Sequence, residues 1–199
     1  MKEVIVATKN DGKIREFRAI LKKYGIRCKS LHDIELQNIV IEETGKTFRE
    51  NALIKAQTIS DRLQIPVLAD DSGLVVDYLN GKPGVRSARY AGKKATDEEN
   101  NAKLLNELKD VPLKKRTARF VCAIAFVIPG QAPLFAEGVC EGTIATEPKG
   151  TDGFGYDPLF IPHGYDETMA RLGDEVKNNI SHRYHALKQL ENILKKINA

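Results

Sequence analysis

Residues 118–128 read ARFVCAIAFVI, apolar at odd and even positions alike except for Arg119. Side chains alternate across a strand, so a run that is apolar on both alternations belongs to a central strand covered on both faces. PLFAEGVCEGTIA (133–145) follows through the turn PGQAP and reads as its antiparallel neighbour. A sheet buried on both sides needs helices to cover it, and the rest of the chain supplies them.

Val4 to Ala7 is a short apolar strand, followed by the polar turn TKNDGK. Ile14, Phe17, Ile20, Leu21 and Tyr24 then recur at helical spacing until Gly25 stops the run. Thr47 and Glu50 have capping-box spacing ahead of a helix over 48–63, and Thr96 and Glu99 repeat that signal ahead of Leu104, Leu105 and Leu108. Pro66 opens a strand ending near Ala69, Gly73 breaks it, and LVVDYL resumes as a second strand. PVLADDSGLVVDYL (66–79) is thus expected to be two strands joined by D-D-S-G. PLFIP (158–162) is a short strand. Leu187, Leu190, Leu194 and Ile197 mark a last helix with Ser181 as N-cap and His182 and Arg183 in its exposed first turn. The fold class expected is α/β, a mixed twisted sheet with helices on both faces, and residues 1–199 read as one domain.

Lysine and arginine number 31 against 27 acidic residues, a net +4 too small to mark a nucleic-acid or membrane surface without a basic patch. The densest basic run, Lys114 to Arg116, reads as a solvated loop before a strand. Three cysteines without a C-x-x-C pair fit a reducing compartment. No stretch approaches the roughly 20 apolar residues of a membrane span, and EVIVATKN is too short for a signal core. The expectation is a cytoplasmic protein, with no nucleic acid or membrane as partner.

Four constellations carry possible chemistry. In TKNDGK, a helix N-terminus beside Lys9 and Lys13 would hold phosphate; it would equally be an ordinary strand-to-helix turn, since the Walker spacing is absent. Asp70 and Asp71, at the end of an apolar strand, need a cation or hydrogen-bond donors, which Mg²⁺ with phosphate or the turn's own backbone would provide. Glu42 and Glu43 form a second adjacent pair, just before a helix. GFGYD (153–157) would bring Phe154 or Tyr156 against a flat base with Asp157 orienting a donor, or would be a hairpin tip with a buried aromatic. Lys177, Ser181, His182 and Arg183 form a cationic group, and His185 lies three residues beyond His182 with no third metal ligand beside them. Taken together, the four describe a nucleoside triphosphate and Mg²⁺.

The combination T-K-N-D-G-K-x-x-E (8–16), EETGKTFRENALIKA (42–56), ADDSGL (69–74), GKPGVRSARYAG (81–92), GTDGFGYDPLF (150–160) and ISHR (180–183) resembles the Ham1-like, or inosine triphosphate pyrophosphatase, family over nearly the whole chain. The resemblance implies a fold of two lobes around a central cleft, and Mg²⁺-dependent hydrolysis of ITP, dITP and XTP to the monophosphate and pyrophosphate by a homodimer that cleanses the nucleotide pool. It implies that Thr8, Lys9, Asn10, Asp11, Gly12 and Lys13 hold the triphosphate. Glu42 and Asp71 would bind Mg²⁺, with Asp71 also the base that activates water, and Glu43 is the alternative to Glu42. Ser72 would touch substrate, Lys55 would approach phosphate, and Phe154, Gly155, Tyr156 and Asp157 would clamp base and sugar. Lys177, His182 and Arg183 would close over the base, Arg183 facing its 6-oxo group with donors. A phosphatase using an Asp nucleophile would need D-x-D-x-T, which D-D-S-G is not. A non-catalytic nucleotide sensor would have no need of a base at Asp71.

Overall fold

The computed structural model describes residues 3–197. In chain order the elements are β1 (Glu3–Val6), α1 (Asp11–Lys23), β2 (Arg27–Ser30), α2 (Phe48–Leu63), β3 (Val67–Val76), α3 (Asp97–Glu107), β4 (Thr117–Val127), β5 (Leu134–Ile144), β6 (Phe160–Pro162), α4 (Met169–Ile180) and α5 (His182–Ile197). The strands form one sheet in the order β2-β1-β3-β4-β5-β6. β1 runs parallel to β2 and β3, and β5 runs antiparallel to β6, so the sheet is mixed and flanked by helices as expected. By packing, the chain divides into two units: unit 1 comprises Met1–Asp71, Cys122–Gly138 and Arg183–Ala199, and unit 2 comprises Ser72–Val121 and Val139–His182.

In unit 1 the alternation of β-strand side chains sorts two cores. Val4, Val6, Leu68, Cys122, Ile124 and Phe126 face α1 and α5, against Phe17, Ile20, Leu187 and Leu190. Ile5, Ala7, Val67, Ala69, Ala125 and Val127 face α2, against Ala52, Ala56 and Ile59. This half of β4 is covered on both sides, as its sequence requires. The side chains of Leu194 and Ile197 lie outside the described residues. α1 starts where the Asn10 side chain accepts from the Lys13 N–H at 2.9 Å, and Gly25 follows its end at φ 69°. α2 carries both halves of the expected capping box, Thr47 with Glu50.

In unit 2 one core gathers Leu74, Val76, Leu104, Leu108, Phe120, Tyr156, Leu159 and Phe160. The first half of β4 departs from the two-faced expectation. Ala118 and Phe120 are buried, whereas Arg119 points to the opposite side and pairs with Asp77 and Glu141. α3 has the second capping box, Thr96 with Glu99.

Four local expectations are corrected. β3 is one continuous strand through Asp70, Asp71, Ser72 and Gly73, because its neighbours in the sheet hold the extended backbone that a Ser-Gly pair would otherwise abandon. Its continuation Asp77–Leu79 is a 3-10 turn rather than strand. Arg116 is not solvated: its guanidinium is buried and donates to the carbonyls of Val111, Ala145 and Leu108 at 2.9, 2.9 and 2.6 Å, satisfying two acceptors left beyond the end of α3 and one beyond the end of β5. His182 and Arg183 are buried rather than exposed, and a further helix, α4, broken at Gly173, occupies a stretch to which the periodicity assigns no element. Ser181 lies between α4 and α5 in extended backbone, its N–H closing α4 on the Lys177 carbonyl. Among the described residues no helix is long and apolar enough to cross a membrane.

Candidate active site

Unit 1 carries the acidic chemistry. The loop after β1 is folded on itself: Thr8 is buried, its hydroxyl oxygen accepts from the Asn10 N–H at 3.2 Å, and Asn10 in turn caps α1. Lys9, Asn10 and Asp11 are exposed and Gly12 is buried. One helical turn on, the Lys13 ammonium reaches Asp70 Oδ2 at 3.0 Å.

Because Asp70 and Asp71 are consecutive in a single strand, they project to opposite faces of the sheet. Asp70 shares the side of α1 and α5, where the Arg183 Nε lies 3.6 Å from its Oδ2 and Arg183 Nη1 donates to Glu16 Oε2 at 2.6 Å. Lys13, Asp70, Arg183 and Glu16 thus form a buried network of two cations and two anions. Burial works against the Asp70 charge, but Lys13, then Arg183 and Lys55, hold its carboxyl far below the usual carboxylate range. Asp71 faces α2. Asn51 Nδ2 donates to its Oδ2 at 3.0 Å, and Lys55 Nζ lies 3.6 Å from its Oδ1 and 3.4 Å from Glu43 Oε2. For Asp71 burial dominates, and with Glu43 it raises the proton affinity despite Lys55, Lys13 and Asn51. Adjacent acids of one sequence pair are therefore driven in opposite directions by the faces they occupy.

Unit 2 holds the glycine-rich segment. Asp157 is buried, accepts from the Phe154 N–H at 2.9 Å and pairs with the Lys177 ammonium, which also sits 4.4 Å from the centroid of the Phe154 ring. Tyr156 belongs to the core, its hydroxyl donating to the Ser87 carbonyl at 2.8 Å, so of the two aromatics Phe154 is the half-exposed one. Both peptide groups of Gly155 are gripped by α3: its N–H donates to Asp97 Oδ2 at 2.6 Å and its carbonyl accepts from Asn101 at 3.0 Å. His182 stacks on Phe120, ring centroids 4.9 Å apart. Gly153 sits at φ 84°, and a Cβ there would lie 2.1 Å from Asp157 Oδ2. Gly153→Ala is therefore expected to destabilise the protein by more than the about 1–2 kcal/mol of a left-handed alanine, read as a lower urea midpoint. An unchanged midpoint would remove this account of the loop.

The profile of the Ham1 family matches residues 4–193. The chain belongs to the Ham1 family. Among Ham1 relatives, a dITP/XTP pyrophosphatase of Halalkalibacterium halodurans is 59% identical, the match covering 96% of this chain and 98% of the relative. One of Bacillus licheniformis, with the same name, is 57% identical over 98% of each. The solved Staphylococcus aureus Ham1 protein superposes with a TM-score of 0.85 at 41% identity, covering 98% of this chain and 99% of that one.

Within this Ham1 chain the residues expected at the site fall into the two groups described. Asp71 gathers with Glu43 and Lys55, while Glu42 is exposed. Lys13 and Arg183 meet at Asp70, and Asp157, Phe154 and Lys177 meet in unit 2. Ser72, next along β3, is half-buried. Sequence reasoning gave no role to Glu16, Asn51, Asp97 or Asn101. The signal for Glu16 and Asn51 was a polar residue on the apolar face of a helix, between Ile14 and Phe17 in one case and beside Ala52 in the other.

Proposed function

We propose that this Ham1-family chain hydrolyses dITP, ITP, XTP and dXTP to the nucleoside monophosphate and pyrophosphate with Mg²⁺, as a cytoplasmic homodimer that keeps non-standard purines out of the nucleotide pool. The observation that carries the reading is the split of Asp70 from Asp71: one carboxylate stays charged to hold Lys13, and its neighbour has raised proton affinity beside a second carboxylate and a lysine. The name shared by the relatives supplies the substrate class.

In this mechanism water attacks the α-phosphorus, a bond forms from its oxygen to phosphorus, and the bond to the bridging oxygen of the β-phosphate breaks. Asp71 accepts the proton of that water; burial makes it a stronger base than an exposed carboxylate. Lys13 and the amides that open α1, with Thr8, Lys9, Asn10, Asp11 and Gly12, hold the departing pyrophosphate. Lys55 balances the negative charge that Asp71 and Glu43 bring together.

The donor set suits Mg²⁺. Glu43 and Asp71 already bracket one cation, the Lys55 ammonium, and two carboxylates completed by phosphate oxygens and water are the usual way this ion is held. Glu43 and Asp71 are the ligands this geometry favours, with Glu42 one residue away as the alternative. When bound, Mg²⁺ supplies neutralisation of the phosphate charge and polarisation of the α-phosphate. Base and sugar fall to Phe154, Gly155, Tyr156, Asp157, Lys177 and His182, with Ser72 a further substrate contact. The Arg183 guanidinium, held by Glu16 and Asp70, would face the 6-oxo group of the base with its donors.

Product analysis tests the proposal. With dITP and Mg²⁺ the purified protein is expected to release dIMP and pyrophosphate in equal amounts, and far less product from ATP. Release of orthophosphate, or equal turnover of ATP, would overturn it.

A further inference from the structure

Asn51 is the fourth residue of α2, fully buried, and asparagine is a poor choice for a helix interior. Its side chain explains the choice. Nδ2 donates to Asp71 Oδ2 at 3.0 Å, and Oδ1 accepts from the Gly45 N–H at 2.8 Å. One group must donate to a carboxylate on one side and accept from a peptide N–H on the other. An aspartate would set charge against charge, an aliphatic residue would leave both partners unmet, and glutamine is one methylene too long. The amide cannot reverse, since that would place NH₂ against N–H and carbonyl against carboxylate.

Gly45 is fitted to the same amide. A Cβ at Gly45 would lie 2.6 Å from Asn51 Oδ1, 2.7 Å from Glu50 Cβ and 2.9 Å from the Asn51 nitrogen. The loop that carries Glu42 and Glu43 is therefore pressed onto Asn51 at Gly45. Lys55, one helical turn beyond Asn51, reaches the other oxygen of Asp71 and also Glu43. Thus α2 grips both oxygens of Asp71 from one face, and the amide at its start fixes the acidic loop to that carboxylate.

We infer that Asn51 is a positioning residue: through one amide it sets the orientation of Asp71 and the distance from Asp71 to the Glu42–Glu43 loop, with Gly45 as its counterpart. This rests on the proposed role of Asp71. In this role Asn51 neither takes nor gives up a proton; it acts through the Asp71 carboxylate and the loop that it holds. Misplacement of a reacting group by about 1 Å can lower a rate on the order of a hundredfold, so its loss should appear in kcat and spare KM.

The test has two arms. In the first, Asn51→Ala, Gly45→Ala and the double variant are assayed with dITP. Each single change is expected to lower kcat by about 30- to 100-fold with KM within about threefold, and the double variant is expected to be no slower than the slower single one, since both disable one unit. Multiplying losses, or a rise in KM at unchanged kcat, would overturn the inference. The second arm needs no turnover. Amide hydrogen exchange of the wild-type protein should show Gly45 protected, with that protection lost in Asn51→Ala while the amides of α2 stay protected. Unchanged protection of Gly45 would overturn the geometry whatever the enzyme hydrolyses. Wild-type protein that shows the exchange pattern but leaves dITP intact would instead overturn the proposed activity. Should Asn51→Ala fail to fold, Gly45→Ala carries the kinetic arm alone, with the same kcat loss expected and wild-type kcat overturning the inference.

Discussion

Asp71→Asn is expected to lower turnover of dITP at least about a hundredfold, the order of a lost general base, while leaving the fold intact. The two halves of that expectation have separate causes. An amide matches the carboxylate in shape, and its oxygen can still accept from Asn51, but it cannot take a proton from water. Stability should not fall, because burial raises the Asp71 proton affinity in the folded chain. A carboxyl whose folded value lies above its unfolded one subtracts from stability at neutral pH, where it is ionised, and a neutral amide removes that subtraction. Pyrophosphate release and thermal melting measure the two halves. Near-normal turnover would end the assignment of Asp71 as base.

Asp70→Ala is expected to do the opposite, weakening the fold first. It strips the carboxylate from between Lys13 and Arg183 and takes from a buried guanidinium one of its counter-charges, leaving the pair with Glu16. Breaking a buried ion pair by removing one partner costs about 3–5 kcal/mol, because the remaining charge is left uncompensated in a dry environment. The pH dependence has a definite sign. Asp70 is held below its ordinary value of 3.8, so its contribution is complete above that value and is lost as pH falls toward the folded value. The gap between wild-type and variant urea midpoints should thus be full at pH 7 and narrow below about pH 4. Equal midpoints at pH 7 would show that the network carries no stability.

How far the sequence could be read depended on the distance between partners. Thr47 with Glu50 and Thr96 with Glu99 announce their helices because both halves of each box lie within one turn. D-D-S-G misled for the same reason: Ser72 and Gly73 favour a turn locally, and only the neighbouring strands keep β3 extended. His182 and Arg183 looked like an exposed first turn because the partner that buries Arg183, Glu16, stands 167 positions earlier. Glu43, rather than Glu42, comes to Lys55, and two adjacent glutamates before a helix offer no local signal to choose between them.

The division of unit 1 into three separate stretches has a consequence for synthesis. Unit 2, residues 72–121 and 139–182, is fully translated before Arg183 is added. Unit 1 must wait: until α5 leaves the ribosome, Phe17, Ile20 and Leu68 lack the Ala186, Leu187 and Leu190 that cover them, and Asp70 has Lys13 but no guanidinium. A chain ended before position 183 would contain every residue of the second unit and lack the part of the first that α5 supplies. Asp71, the proposed base, belongs to unit 1, the unit completed last, so a product truncated before α5 is expected to be inactive.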